Sequence, residues 1–197
     1  MTGNDHVLKN RVRYEGSATI NGTGHDIPDH QSTTTSAGLP PLPSPVADYL
    51  AAAQQNGTAF TGDVNIVGGG PTGLQTDTGT AISGVVHSTG RIYVEGNGLS
   101  GTITLVSDLG VSISGDDNSF TAAMDDVLAI SVGGAVPNDR LDNNILLDGR
   151  LSDLTGSLWA PGGIVEVVTT ANALTGKAVG LKIRLAGSEN VFSNGCR

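Results

Sequence analysis

Four segments of the chain repeat one pattern, and this repeat limits the possible fold more than any other feature. Each begins with Leu or Ile, then Ser or Thr, then Gly, and continues into a strand of alternating apolar residues. The segments are ISGVVHSTGRIYVEG from Ile82, LSGTITLVSDLGVSISG from Leu99, LTGSLWAPGGIVEVV from Leu154 and LTGKAVGLKIRLAG from Leu174. Their starts lie 17 residues apart in the first pair and 20 apart in the second, a spacing typical of units that stack on their neighbours. We therefore predict an all-β, single-domain β-solenoid of the parallel β-helix type.

The alternating apolar residues predict the core of this solenoid. Strands of successive coils lie about 4.8 Å apart and pair through their backbones, so equivalent side chains form columns. The expected stacked core positions are Ile92, Val94, Val111, Ile113, Ile164, Val167, Ile183 and Leu185. Two further apolar runs, VLAISV (127–132) and NILLDG (144–149), are predicted to be coils without the opening motif.

The stretch LTGSLWAPGGIVEVV holds the chain's single tryptophan between glycines. Gly156 and Gly162-Gly163 are predicted to be corner residues, with Pro161 stiffening the bend. Trp159 has two interpretations, a side chain packed on the core or an exposed aromatic platform. In the second case Trp159 and Tyr93 are candidate glycan-binding residues, because aromatic platforms on a rigid scaffold are suited to sugars.

One helix is predicted before the repeats. Ser44 is the expected N-cap, Pro45 the first helical residue, and VADYLAAAQQ ends before Asn56-Gly57. We expect this helix to pack on the solenoid or cover its open end. The predicted organisation is one continuous domain with three parts, namely an opening strand region (1–30), a proline-rich surface segment with the capping helix (31–60) and the solenoid coils (61–197).

The charge and hydropathy of the chain argue against two classes of partner, nucleic acid and the membrane interior. The formal net charge is −9, which argues against nucleic acid, because phosphate backbones are bound by clustered Lys and Arg. No apolar run approaches the roughly 18 residues of a membrane span. The start, MTGNDHVLKN, has no hydrophobic signal-peptide region, so a cytosolic protein and a mature form without its leader or anchor both remain open.

Two groups of residues are candidate metal ligands. GHDIPDH contains His25, Asp26, Asp29 and His30, and imidazole with carboxylate suits Zn²⁺ or another divalent ion. The spacing matches no established metal motif, and a turn rich in Asp is the alternative.

The second group lies in SGDDNSF and MDDVL, where the candidates are Asp116 and Asp117, with Asp125 and Asp126 close by in sequence. Carboxylates are ligands for calcium, so calcium is the candidate cofactor at this second group. Solvated turn carboxylates are the alternative. Paired acids also suit a carbohydrate-active β-helix enzyme.

Cys196 is the only cysteine, so no disulfide forms within the chain. It is a candidate for an intermolecular crosslink or an incidental thiol. The sequence contains no nucleophile elbow, no phosphate-binding loop with its Lys and no convincing dinucleotide motif. We therefore predict no catalytic and no cofactor-binding residues.

Several phrases resemble one family. GRIYVEGNGLSGTITLVSDLGVSISG, GSLWAPGGIVEVV and LTGKAVGLKIRLAGSENV are similar to segments of secreted β-solenoid domains found on bacterial and archaeal pilin-like and Tad-pilus-associated (TadG-like) envelope proteins. SATINGTGHDI is similar to the opening rung of that family. The resemblance implies an extracellular or cell-surface location and no enzymatic activity.

Repeat and resemblance together lead to one functional expectation with two alternatives. We expect a non-enzymatic extracellular structural protein of the cell envelope that assembles with copies of itself into a filament, pilus or surface layer, since open sheet ends favour association. The first alternative is an adhesin or glycan-binding module. The second is the carbohydrate-active enzyme.

Overall fold

The structure is a computed structural model that describes residues 7–8, 41–70, 73–133 and 144–193. These ranges contain one helix and a series of short and long strands. In chain order they are β1 (Val7–Leu8), α1 (Val46–Asn56), β2 (Ala59–Phe60), β3 (Val64–Gly68), β4 (Leu74–Thr76), β5 (Gly84–Ser88), β6 (Arg91–Glu95), β7 (Ser100–Ser107), β8 (Gly110–Ser114), β9 (Ser119–Thr121), β10 (Val127–Ser131), β11 (Asn144–Arg150), β12 (Asp153–Thr155), β13 (Ser157–Thr170), β14 (Ala173–Thr175), β15 (Ala178–Ser188) and β16 (Val191–Ser193).

The strands form a single 16-stranded sheet, which confirms the predicted all-β class. Within the described ranges, β3 and β4 form the only antiparallel pair of strands. They are also the only strands adjacent in chain order that pair with each other. Each of the other pairs joins two strands that have at least one further strand between them in the chain. Long-range parallel pairing of this kind follows from a repeated sequence whose units lie on top of one another.

The parallel pairs follow one another in three columns. The first column runs through the start of β7, then β9, β12, β14, β16 and β1. The second runs through β2, β5, the end of β7, β10, and the starts of β13 and β15. The third runs through β3, β6, β8, β11, and the ends of β13 and β15. The predicted coils VLAISV and NILLDG therefore supply β10 and β11.

Two ladders of apolar side chains form the core of the third column. Their members are in register from strand to strand, and nearly all are buried. One ladder is Val64, Ile92, Val111, Ile145, Val165 and Ile183; the other is Ile66, Val94, Ile113, Leu147, Val167 and Leu185. Each fully buried side chain of this size contributes about 1.5–3 kcal/mol through removal from water.

The prediction of Ile164 as a core residue is wrong by one position. Val165 is fully buried and in register with Ile183, whereas Ile164 is half-buried and lies opposite the exposed Lys182. The reason is a register shift between Ala160 and Ile164, which changes the alternation of inward and outward side chains.

The glycines around Trp159 have two different roles. Gly156 has φ +136°, and a Cβ there would lie 2.7 Å from the Cβ of Ala122, so this position is a corner that requires glycine. Gly162 and Gly163 lie inside β13 instead, within the register shift after Ala160. The start of β13 belongs to the second column and its end to the third, so this pair lies at the bend between two columns, which is the corner that the sequence predicts, and neither glycine has a positive φ.

A polar ladder precedes the strands of the first column. Asn118, Ser152, Asn172 and Asn190 are buried at equivalent positions, each directly after a residue with left-handed backbone. The Asn172 Oδ1 accepts the backbone N–H of Ser152 at 2.6 Å, and the Asn118 Oδ1 accepts that of Leu99 at 2.9 Å. These bonds satisfy buried backbone groups at a bend, where the backbone hydrogen bonds between strands are interrupted.

Helix α1 lies beside the sheet. Its N-cap is Pro45, without a side-chain cap, so the predictions of Ser44 as the N-cap and Pro45 as the first helical residue are each one residue early. The helix includes Asn56, one residue beyond the predicted end, and Gly57 follows it in the left-handed conformation. Tyr49 and Ala53 are fully buried against the outer side of the second column, close to Val85. The helix therefore packs laterally on the sheet.

Candidate functional site

The two ends of the columns differ, and they form the candidate functional site. We use "head end" for residues 41–90, which contain α1 and β2 to β5, and "tail end" for residues 173–193, which contain β14 to β16. Residues 91–172 lie between them and are called the body.

The head end is closed by a reversal of the chain. After β3, the chain turns back and β4 pairs with β3 in antiparallel register, with Ile66 opposite Thr76. The chain then turns again, and the Ile82 N–H donates to the Leu74 carbonyl at 2.9 Å. Both Leu74 and Ile82 belong to the main apolar core and are at most 1% exposed. Their side chains cover the core at this end.

The tail end is built differently. β15 is the last strand of the second and third columns, and in the described part of the chain it pairs only with β13. The first column extends one strand further, because β1 pairs in parallel with β16 and places Val7 opposite Val191. An edge strand of this length presents backbone N–H and C=O groups to a further strand.

A hydrogen-bonded network at Asn190 supports the tail end. Its Oδ1 accepts the Thr169 hydroxyl at 2.8 Å and the Asn172 N–H at 3.1 Å, and its Nδ2 donates to the Thr169 carbonyl at 2.8 Å. Asn190 is fully buried. No motif in the sequence analysis identified this residue, although the recurrence of Asn or Ser one position before each first-column strand is a signal that could have done so.

Side-chain charge also distinguishes the two ends. Residues 41–90 contain three aspartates, Asp48, Asp63 and Asp77, and neither lysine nor arginine. Residues 173–193 contain Lys177, Lys182 and Arg184 with Glu189 as their only acid. The body is acidic, so the tail end is the basic part of the described sheet.

The basic side chains of the tail end lie at its surface. Lys177 and Lys182 are exposed, and the side chain of Arg184 is 49% exposed. Arg184 lies 3.9 Å from Glu166 on the neighbouring strand, a distance at which a surface ion pair contributes about 0–1 kcal/mol. Lys182 and Arg184 alternate with core-facing residues and so share the outer side of β15.

The carboxylates predicted as calcium ligands lie at turns of the body. Asp116 accepts both the Arg150 backbone N–H at 3.0 Å and its guanidinium at 3.1 Å. Asp117 has a left-handed backbone, as do Asp125 and Asp126. No group of three or more His, Cys, Asp or Glu suited to a metal is present among the residues that the structure describes. Calcium binding at Asp116 and Asp117 stays a prediction.

The other predicted ligands and the crosslink lie outside the described ranges. His25, Asp26, Asp29 and His30 precede residue 41, and Cys196 follows residue 193. The predictions of a metal site and of an intermolecular crosslink therefore stay predictions.

Trp159 packs in an apolar cluster on the outer side of the second column, and it is only 4% exposed. We call this the outer cluster; it also includes Tyr49 and Ala53 of α1, Val106 and Val179. The packing interpretation of Trp159 is the one that fits, and its indole has no exposed face. Tyr93, in contrast, is partly exposed between Asn65 and Ser112 on the third column, and glycan binding there stays a prediction.

Tyr49 is the one buried titratable group of the outer cluster with a clear perturbation. Burial, together with the nearby Asp125 carboxylate, raises the pKa of the Tyr49 phenol well above its ordinary value. The hydroxyl itself has no hydrogen bond of good geometry. The neutral phenol is therefore the form that fits between the helix and the sheet.

Comparison of the chain with protein-family models, with curated proteins and with solved structures finds no match. Within the described ranges, no helix has both the length and the apolar character needed to cross a membrane.

Proposed function

We propose that this chain is a β-solenoid that serves as a non-enzymatic structural protein of the cell envelope and assembles with copies of itself. The observation that carries the proposal is the difference between the two ends of its sheet. One end is closed by an antiparallel turn of the chain, whereas the other ends in an 11-residue parallel strand whose described partners all lie on one side.

The solenoid part of the proposal rests on register. Equivalent positions recur from strand to strand in all three columns, and the apolar ladders run from Val64 to Ile183 and from Ile66 to Leu185 without a break. A chain that winds in successive coils produces this pattern, because each coil contributes one strand to each column.

The assembly part rests on the tail end. Natural proteins cover, shorten or charge the edges of their sheets to prevent association. β15 is long, and its positive side chains Lys182 and Arg184 favour an acidic partner over a second basic edge. A tail end of this kind is suited to selective association.

The location at the cell envelope rests on the resemblance of GSLWAPGGIVEVV and the neighbouring phrases to secreted β-solenoid domains of pilin-like and TadG-like proteins. Those domains imply a structural role without catalysis. The proposal assigns no catalytic residue to this chain for the same reason.

The test is the state of the purified full-length chain as its concentration rises. Light scattering with negative-stain electron microscopy, each with and without calcium, measures mass and shape together. We expect mass to increase with concentration and elongated particles of uniform width to appear. A monomer at every concentration and in both calcium conditions would contradict the assembly.

A further inference from the structure

The outer side of the first column carries a hydroxyl group at the same position of five successive strands. In register from β7 to β16, the third paired residue of each strand is threonine or serine. We call this row the threonine ladder; its members are Thr102, Thr121, Thr155, Thr175 and Ser193. They lie 18 to 34 residues apart in the sequence, and parallel pairing of the strands brings them into one line.

The threonine ladder lies at the surface of the sheet. Thr102, Thr121 and Thr155 are exposed, and Thr175 and Ser193 are half-buried. The Thr175 and Ser193 hydroxyls lie 3.1 Å apart in a hydrogen bond, so hydroxyls of neighbouring strands project from the same side. The ladder therefore presents a regular row of hydroxyl and methyl groups to solvent.

The fold alone does not impose this uniform row. The central outward row of the third column is also in register, but its residues differ from strand to strand, namely Asn65, Tyr93, Ser112, Leu146, Glu166 and Arg184. The outer side of the second column carries the outer cluster, on which α1 packs. Within the described ranges, only the first column repeats one chemical group along its whole outer side.

The outer side of the first column also carries little charge. Each of its strands has a second outward residue two positions before the ladder, and these residues are Ser100, Ser119, Asp153, Ala173 and Val191. Asp153 is the one charged residue in the two rows, although the chain as a whole has a formal net charge of −9. Such a surface is suited to a neutral partner that offers hydrogen-bonding groups at regular intervals.

The spacing of the two rows fits crystalline water. Hydroxyls of neighbouring strands lie about 4.8 Å apart, and the two outward positions of one strand lie about 6.6 Å apart. In ice, tetrahedral hydrogen bonds of about 2.75 Å place second-neighbour oxygens about 4.5 Å apart and give a repeat of about 7.4 Å along the hexagonal axis. Each spacing of the protein is within about 10% of the corresponding repeat of ice. Water bound along the ladder can therefore continue into the ice lattice.

A crystal face also requires a flat protein surface. The polar ladder of buried Asn and Ser residues precedes β9, β12, β14 and β16, which are four strands of this column. Side-chain ladders of this kind stabilise untwisted sheets. The inner side of the column therefore supports the regular outer rows.

We infer that the outer side of the first column binds ice, with the threonine ladder as the contact. The hydroxyls occupy positions of the lattice, and the methyl groups lie between water molecules that the lattice holds in place. The surface belongs to a single copy of the chain, so ice binding does not depend on the proposed assembly.

The experiment measures thermal hysteresis and crystal shape in the full chain, together with its partition into slowly growing ice. T121K/T155K places two charged side chains in the middle of the ladder, and T102K is a second, single variant in case the double change disturbs the fold. T61K/T80K is the matched control, because it makes the same replacements at exposed threonines of the head end. Thermal unfolding confirms that each variant is folded.

We expect wild type and T61K/T80K to shape ice crystals, to show thermal hysteresis and to enter the ice fraction. T121K/T155K and T102K should lose these properties while keeping the wild-type unfolding midpoint, because a charged side chain holds water that does not fit the lattice.

Three results would overturn the inference. The first is a wild-type chain that shows no thermal hysteresis and stays in the liquid fraction. The second is wild-type activity in folded T121K/T155K, which would remove the ladder from the contact. The third is an equal loss in T61K/T80K, which would indicate a general effect of charge. Light scattering on the same samples tests the proposed assembly separately, since a monomer that binds ice would contradict only that assembly.

Discussion

The head end and the tail end of this sheet differ in how the last strand of the stack is covered. Parallel strands stacked in register have no natural last member, because each strand leaves one edge free for the next. At the head end the chain turns back on itself, and Leu74 and Ile82 cover the core. At the tail end β15 is the last strand of the second and third columns within the described ranges, and its exposed Lys182 and Arg184 are basic.

The two ends of the sheet depend on different kinds of residue. The head end is closed by buried apolar side chains and backbone hydrogen bonds, which contribute to the stability of the isolated chain. The tail end depends on a buried polar network at Asn190 and on exposed charge, so the isolated chain should open first at this end.

The largest expected effect is at the head end. Leu74→Ala removes a fully buried side chain that lies tightly against Gly101, where an added Cβ would be 2.9 Å from the Leu74 Cδ1. We expect the free energy of unfolding to fall by about 2–5 kcal/mol, measured by urea denaturation. Leu185→Ala at the tail end, which is 8% exposed, should lie near the lower limit of that range. Equal losses at the two ends would contradict the difference between them.

The second effect is at the polar ladder. Asn190→Ala leaves the Thr169 carbonyl and the Asn172 N–H without their buried partner, so we expect a loss of about 1–3 kcal/mol. Asn172→Ala is the matched variant one coil toward the body, where the Ser152 N–H loses its acceptor. Hydrogen exchange should show opening confined to residues 173–193 in the first variant and opening that reaches further into the body in the second. Uniform opening in both would argue against a separate tail end.

The third effect is a gain of stability at the left-handed corners. Leu151 has φ +56° and is 63% exposed, and Glu189 occupies the equivalent corner of the tail end with φ +57°. Glycine relieves the contact of Cβ with the backbone, so Leu151→Gly should stabilise the chain by roughly 0.5–1 kcal/mol in thermal unfolding. Glu189→Gly should slow exchange at the tail end with a smaller change in the overall midpoint. Destabilisation by Leu151→Gly would contradict the assignment of strain to this corner.

The smallest effect at neutral pH is expected where α1 packs on the sheet. The pKa of Tyr49 is raised in the folded chain, so its contribution to the free energy of unfolding is fully present below the unfolded value of about 10 and is lost as pH rises above it. Tyr49→Phe removes this loss, and its stability curve should fall less steeply above pH about 10 while matching wild type near pH 7. Parallel curves for the two proteins across the alkaline range would show that the phenol does not titrate with unfolding.

The repeat in the sequence predicts much of this fold, because its alternating apolar residues are the side chains that stack from strand to strand. Period-two apolar residues identify the ladders that contain Ile92, Val111 and Leu185, and these were predicted correctly. The error at Ile164 arises where Pro161 to Gly163 interrupt the alternation, since a register shift cannot be read from a pattern that assumes regular strands.

The head-end closure was not predicted, because the sequence of its segment has no feature that sets it apart. Leu74 and Ile82 lie in a segment whose length resembles that of an ordinary coil, and nothing in LQTDTGTAI distinguishes an antiparallel turn from a further parallel strand. The polar ladder was missed because Asn and Ser before a strand are also ordinary turn residues. Whether such an Asn or Ser forms a buried hydrogen bond depends on which backbone groups lie on the neighbouring strands.

Hydrogen exchange with mass spectrometry at two protein concentrations tests the difference between the ends most directly. At low concentration the amides of β15 should exchange much faster than those of β3, and raising the concentration at low salt should slow exchange at β15. Protection of β15 equal to that of β3 at the lowest concentration would mean that the tail end is already covered in the isolated chain, and would contradict the account.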